Sequence, residues 1–289
     1  MIEILENTII YPMIDQELDA IIALALREDM PDGDITSEAV VPSNAVSKAV
    51  ILAKETGILA GLDVARRVFE KVDPRVVFHK AMEDGHEFRK RDVLARLEGP
   101  STALLKGERT ALNFLQRMSG IATLTRKYVR AVKGGKTRIL DTRKTTPGLR
   151  LLEKYAVKTG GGENHRFSLS DMVLLKDNHL AFVGGIREAV RRARVNNKPG
   201  TKIEVEVKNF KEAREAVDSG ASMIMLDNMP FPAMRGVVRW VAGRVPIEVS
   251  GKVTLRRVAE ISKLGVDYIS VGRLTHSFKS VDISLEFQS

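Results

Sequence analysis

The apolar positions of this chain change their period part-way along. Over 15–27 (DQELDAIIALALR), Leu18, Ile21, Ile22, Ala25 and Leu26 fall on one side of a predicted helix. Pro31 and Gly33 interrupt that pattern. Residues 46–59 read as strand, a turn at Glu55, Thr56 and Gly57, and strand again. A helix over 62–72 stops before Asp73 and Pro74, because proline pushes the preceding residue out of the helical region. Residues 76–80 and 93–97 predict two more strands on either side of a polar stretch containing Asp84 and Gly85. This mixture predicts an antiparallel sheet with helices on one face, ending at Gly99 and Pro100. A long helical pattern covers 102–132, with Gly120 as a point where it can divide in two. Beyond it strands and helices alternate. The strands fall near 138–141, 172–175, 202–207, 223–226, 246–249 and 268–271, and the helices near 150–157, 181–194, 210–218, 231–242 and 253–263. That spacing predicts a parallel sheet, open or closed into a barrel.

Composition narrows the class. The 289 residues carry 46 Lys and Arg against 37 Asp and Glu, a net charge of +9 that suits nucleic acid, a membrane surface or an anionic small substrate. Aromatic residues make up only 5 %, too few for a base-stacking surface, and there is no long run of like charge. No cysteine is present, so neither disulfides nor thiolate metal sites arise. The N-terminal MIEILENTII lacks a signal-peptide pattern, and no apolar run is long enough to span a bilayer. A soluble cytoplasmic enzyme is the expectation, without nucleic-acid or membrane partners.

The chemistry concentrates at predicted strand ends. The stretch 139–179 holds Arg143, Lys144, Arg150, Lys154, Lys158, His165, Arg166 and Lys176 around Gly160, Gly161 and Gly162. Arg143 and Lys144 follow one short apolar run and Lys176 follows the next, where α/β folds bind ligands. Arginine grips carboxylates and phosphates with two parallel hydrogen bonds, so this pattern predicts a pocket for a small, highly anionic substrate. The three glycines predict backbone freedom and close approach to a ligand. Further on, IEVEV places Glu204 and Glu206 on one face, and carboxylates alternating with valine in a buried parallel strand fit only a barrel interior or a site. MIMLD ends on Asp227, IEVSG on Ser250 and Gly251, and YISVG on Gly272. Glu206 and Asp227 suit Mg²⁺ and ribose hydroxyls, while Ser250, Gly251 and Gly272 suit a phosphate held by backbone N–H groups. The acids Glu28, Asp29, Asp32 and Asp34 do not match a calcium loop and predict turn and cap chemistry. His79 and His86 have no partner at ligand spacing and are expected to be structural or exposed.

TRKT, GGGENHR and LLKDNH, in this order and spacing, resemble the signature stretch of quinolinate phosphoribosyltransferases. EDMPDGDITS and GERTALN extend the resemblance towards the N-terminus. The resemblance implies transfer of phosphoribosyl from phosphoribosyl pyrophosphate to quinolinate with loss of CO₂, giving nicotinate mononucleotide for NAD synthesis. It implies a quinolinate pocket of Arg109, Thr142, Arg143, His165, Arg166 and Lys176, with Arg109 supplied by a neighbouring subunit. It implies catalytic roles for Lys144, Glu206 and Asp227, with Mg²⁺ at Glu206 and Asp227 partly through water. It places phosphate at Ser250, Gly251, Lys252, Gly272 and His276. Lys252 departs from the small residue that relatives commonly carry there. The implied fold is α/β: an N-terminal α/β sandwich at 1–107, joined by a tail at 275–289, and an incomplete α/β barrel at 108–274 carrying the active site. A homodimer or higher homo-oligomer with shared sites is implied as well. Other readings stay open. One is a relative using another pyridine acid. Another is a divergent homologue attached to molybdate transport, which Arg143, His165, Arg166 and Lys176 disfavour. A third is a basic nucleic-acid binder.

Overall fold

The computed structural model describes residues 11–288, which form two compact units. One comprises residues up to 124, 146–160 and 278–289, and the other 125–145 and 161–277. The division falls inside a helix rather than at a linker, and the point near residue 107 expected from sequence also lies within that helix.

The first unit contains α1 (Tyr11–Asp29), α2 (Ile35–Val40), β1 (Val46–Ala53), β2 (Gly57–Ile58), α3 (Leu62–Val72), β3 (Val77–Lys80), β4 (Glu87–Phe88), β5 (Val93–Pro100), most of α4 (Ser101–Ala131) and α5 (Arg150–Thr159). Asp34 accepts from the N–H groups of Thr36 and Ser37 at 3.1 and 3.0 Å and caps α2, the role expected of this acidic turn. Asp84 accepts from the N–H groups of Gly61 and Leu62 at the start of α3. His79 and His86 are exposed. The C-terminal strand, Ile283–Gln288, pairs antiparallel with β1, giving a sheet in which it is followed by β1, β5 and β3. Ile51, Ala53, Leu94 and Ala95 are fully buried in that sheet.

Gly120 does not divide α4. The helix runs unbroken over Ser101–Ala131, and the missing Cβ serves packing: a methyl group there would strike the Lys279 carbonyl. A glycine inside a helix carries no instruction to bend when neighbouring turns keep their hydrogen bonds.

The second unit is a strand–helix alternation. It contains β6 (Arg138–Leu140), β7 (Val173–Leu175), α6 (Asp177–Val183), α7 (Ile186–Val195), β8 (Ile203–Val207), α8 (Phe210–Asp218), β9 (Met223–Asp227), α9 (Phe231–Val241), β10 (Ile247–Ser250), α10 (Leu255–Ser262), β11 (Tyr268–Ser270) and α11 (Arg273–His276). The six strands pair in parallel in the order β6, β11, β10, β9, β8, β7. The two edge strands, β6 and β7, do not pair with each other, so the α/β barrel is incomplete. Beside β6, a single parallel bridge joins Leu140 to Glu163. Val205, Ile224, Leu226 and Ile269 are fully buried, as are Val237 of α9 and Val258 of α10. The single helix expected at 181–194 is two. Gly184 and Gly185, at φ 81° and 131°, separate α6 from α7, because left-handed backbone ends a helix.

Candidate active site

Every strand of the second unit delivers a polar group at or near its C-terminal end, because a parallel sheet with helical crossovers points all those ends one way. A cavity of about 440 Å³ opens there, lined by Thr142, Lys144, Asp227, Asn228, Ser250, Gly251, Lys252, Gly272, Arg273 and His276 among others. Lys144, Lys252, Arg273 and His276 make it basic, against the one carboxylate of Asp227. Gly251 adopts φ 96° with the Asn228 side chain packed against it, so a Cβ would collide. At Gly272 a Cβ would come within 3.1 Å of Lys144 and 3.3 Å of His276. Both glycines thus leave main chain bare at the cavity wall. Thr275 donates its hydroxyl to the Lys144 carbonyl at 2.7 Å, tying α11 to the loop after β6. Thr142 accepts from the Lys144 N–H at 3.1 Å. Lys252 keeps φ 45°, a left-handed conformation unfavourable for lysine.

Glu206, the last residue but one of β8, is largely buried. Burial and then the charge of Asp227 push its carboxyl above the ordinary range, and Lys176 at 3.7 Å offsets part of this. Two like charges held close with one lysine against them form a donor set suited to a hard divalent cation.

Deeper in the same unit sits a second group. His165 Nε2 is 3.1 Å from Glu204 Oε2 and 3.3 Å from Glu248 Oε2, and both glutamates are fully buried. The His165 N–H donates to Asp141, itself buried at the end of β6, at 2.9 Å. Arg166 N–H donates to His165 Nδ1 at 2.8 Å. Burial disfavours a charged imidazole, but the contacts to Glu204 and Glu248 outweigh it and push its pKa up to about 10. Burial and then the charge of Glu248 push Glu204 up to about 7. The three groups hold their protons as one coupled unit, and the Arg166 N–H contact at Nδ1 leaves the ring's proton on Nε2, facing Glu204 and Glu248.

Beside this cluster, burial and then the charge of Arg143 depress the Arg166 pKa. Arg143 Nε is buried without a hydrogen-bond partner. Two guanidiniums close enough to repel, one with an orphaned N–H, define a place that an anion stabilises.

Of the three successive glycines, only Gly161 adopts a left-handed φ, at 91°. Gly160 caps α5 in right-handed geometry at φ −69°. Gly161 thus turns the chain as it leaves α5. Arg150, Lys154 and Lys158 belong to α5 in the first unit, where Lys154 is buried, and Arg109 is exposed on α4 of that unit.

The C-terminal domain of quinolinate phosphoribosyl transferase matches residues 121–286, and the N-terminal domain matches residues 34–119. The chain belongs to the quinolinate phosphoribosyltransferase family. It is 45 % identical over 90 % of its length to a probable nicotinate-nucleotide pyrophosphorylase (carboxylating) of Bacillus subtilis, covering 89 % of that protein. It is 41 % identical over 94 % of its length to quinolinate phosphoribosyltransferase (decarboxylating) 1b of Nicotiana tabacum, covering 83 % of it. The crystal structure of NadC from Streptococcus pyogenes superposes with a TM-score of 0.91 at 42 % identity, over 95 % of this chain and 98 % of that one. The strand-end reading put Glu206, Asp227, Ser250, Gly251 and Gly272 at the C-terminal ends of their strands, as the structure has them, and gave Glu204 a face but no partner. It passed over Asp141, Asn228, Glu248 and Arg273. The signal for Glu248 was present: IEVSG, like IEVEV, sets a carboxylate between apolar residues of a buried strand.

Proposed function

We propose that this chain joins quinolinate to the ribose of phosphoribosyl pyrophosphate and decarboxylates the product, giving nicotinate mononucleotide, pyrophosphate and CO₂. The observation that carries the choice of acceptor is the pair Arg143 and Arg166, mutually repelling and with an unpartnered buried Nε, which a ring bearing two adjacent carboxylates would satisfy. Arg143, Arg166 and Lys176 neutralise the acid ring, with Thr142 at its side and His165 behind Arg166. Arg109 joins them from a second copy of the chain in a homodimer or larger assembly. Ser250, Gly251, Lys252, Gly272 and His276 hold the ribose phosphate in the basic cavity.

With both substrates held, the ring nitrogen forms a bond to the anomeric carbon as the carbon–oxygen bond to pyrophosphate breaks, and pyrophosphate leaves with the electron pair. Glu206 and Asp227 face the positive charge that develops on the ribose, and Lys144 faces the leaving group. The quaternised ring then loses CO₂. The electrons of that bond stay on the ring carbon, steadied by the adjacent cationic nitrogen, until a proton from water replaces them. The protein's part in this last step is to orient the ring. Mg²⁺ would be held by Glu206 and Asp227, partly through water, and would supply charge neutralisation for pyrophosphate.

The test is a steady-state assay with quinolinate, phosphoribosyl pyrophosphate and Mg²⁺, following nicotinate mononucleotide and CO₂, with nicotinate in parallel. Turnover of quinolinate alone is expected, and Arg143→Ala is expected to lower kcat/KM for quinolinate at least about a hundredfold. Near-normal quinolinate turnover by that variant would sink the assignment, and turnover of nicotinate in place of quinolinate would show the second carboxylate pocket to be misread.

A further inference from the structure

The residues proposed for substrates leave unexplained why β8 and β10 each bury a full carboxylate inside the sheet. Glu204 and Glu248 are 0 % exposed, Glu204 Oε1 has no hydrogen-bond partner, and neither Glu248 oxygen has one. An unpaired buried carboxylate is costly, so sequence and fold retain this pair at the expense of stability. Both point at one atom, His165 Nε2. The other polar atoms of His165 are engaged as well. Its N–H donates to Asp141 and its Nδ1 accepts from Arg166 N–H. A metal ion held by His165, Glu204 and Glu248, whose ligand atoms lie within 4.8 Å of one another, would need a bare Nε2. The Arg166 N–H already requires a bare Nδ1, and an imidazole cannot lack both protons at ordinary pH. A proton on Nε2, donated to Glu204 with the Glu248 charge 3.3 Å away, fits all the contacts.

We infer that Glu204 and Glu248 are positioning residues: they orient the His165 ring through Nε2–H, and the ring through Nδ1 fixes the main chain of Arg166 and so the geometry of the acid-binding guanidinium. This rests on the proposed quinolinate pocket and adds to it a two-strand support, since β8 and β10 are separated by β9 and neither glutamate can move without its strand. Arg166 Nη1 also donates to the Met172 carbonyl at 3.1 Å, so its head is held from one side by the chain before β7 and its main chain from the other by His165. His165 therefore acts on the substrate through Arg166.

Two measurements test this. The first is kinetic. Glu204→Ala and Glu248→Ala are each expected to raise KM for quinolinate about tenfold or more while KM for phosphoribosyl pyrophosphate changes less than about threefold, as removing the partner of a buried donor predicts. Glu204→Gln, whose amide oxygen can still accept from Nε2–H, is expected to recover most of the loss. A purely structural role would move both KM values together, and that result, or an unchanged quinolinate KM in both alanine variants, overturns the inference. The second needs no variant that could fail to fold. Nitrogen-15 spectra of the histidine rings of the wild-type protein are expected to show His165 protonated at Nε2 and bare at Nδ1, and a proton at Nδ1 overturns the inference. If the wild type turns over no quinolinate, the functional reading has failed and the ring spectrum still reports on the support. If it does, and the alanine variants keep its KM, the support alone has failed.

Discussion

Lys252 shows what a single residue contributes beyond its charge. Its φ of 45° costs about 1 kcal/mol relative to glycine, and glycine in turn costs about 0.5–1 kcal/mol in chain entropy, so Lys252→Gly is nearly neutral for stability. Its role in the basic cavity then stands exposed: the variant is expected to raise KM for phosphoribosyl pyrophosphate about threefold to tenfold, with an unchanged denaturation midpoint. An unchanged KM would mean the ammonium points away from the phosphate. Arg143 and Lys176 stood out because they follow short apolar runs, and Arg166 because it follows a run of glycines. Asp141 was not, because an aspartate after Leu140 looks the same whether it faces solvent or accepts from a buried main-chain N–H. Asn228 was missed for a related reason. Its φ of 49° and its packing against Gly251 arise from where β9 and β10 end side by side.

Among the elements, α4 and α7 carry the clearest expectations. Gly120→Ala would gain about 1 kcal/mol of helix propensity, yet its methyl group would meet the backbone carbonyl of Lys279, which cannot swing aside as a side chain can. A net loss of about 1–2 kcal/mol in urea denaturation is expected, and a gain would show that the chain at Lys279 yields. On α7, Arg191 and Arg192 hydrogen-bond Glu188 and hold its carboxyl at about 2, below its ordinary 4.5. Its folded pKa is depressed, so its contribution is present above pH 4.5 and is lost as pH falls towards 2. The three side chains are largely open to solvent, so the effect is small and local. Amide exchange in α7 is expected to quicken over that interval in the wild type and to lose this pH dependence in Glu188→Gln. The helix pattern at 181–194 hid the break at Gly184, because the apolar positions on both sides continue a plausible helical period.

For the whole molecule, the site as proposed needs Arg109 from a second copy. Ile35, Val40 and Val46, all in the first unit, are 80, 72 and 67 % exposed. Arg109→Ala and Lys144→Ala are each expected to be inactive alone. Mixed and re-equilibrated, they are expected to recover about a quarter of wild-type activity, since half the dimers are hybrids and each hybrid carries one intact site. No recovery, with exchange verified, would place Arg109 outside a shared site. No described helix is long and apolar enough to cross a membrane.

The order of elements, the parallel character of the second sheet and the identity of most strand-end groups follow from local pattern. Period-two apolar runs, glycine turns and polar residues at run ends are properties of neighbours in sequence, and parallel strands bring all such ends to one side. The pairing of Glu204 with Glu248 across β9, the use of both His165 ring nitrogens, the repulsion between Arg143 and Arg166 and the continuity of α4 through Gly120 are of another kind. Apart from the Nδ1 contact of His165 to its neighbour Arg166, each depends on groups from 23 to 159 positions apart, from Arg143 and Arg166 to Gly120 and Lys279, and no local period encodes such a contact. Only packing the strands in one sheet sets the distances and removes the water that would otherwise make those carboxylates and guanidiniums indifferent to one another.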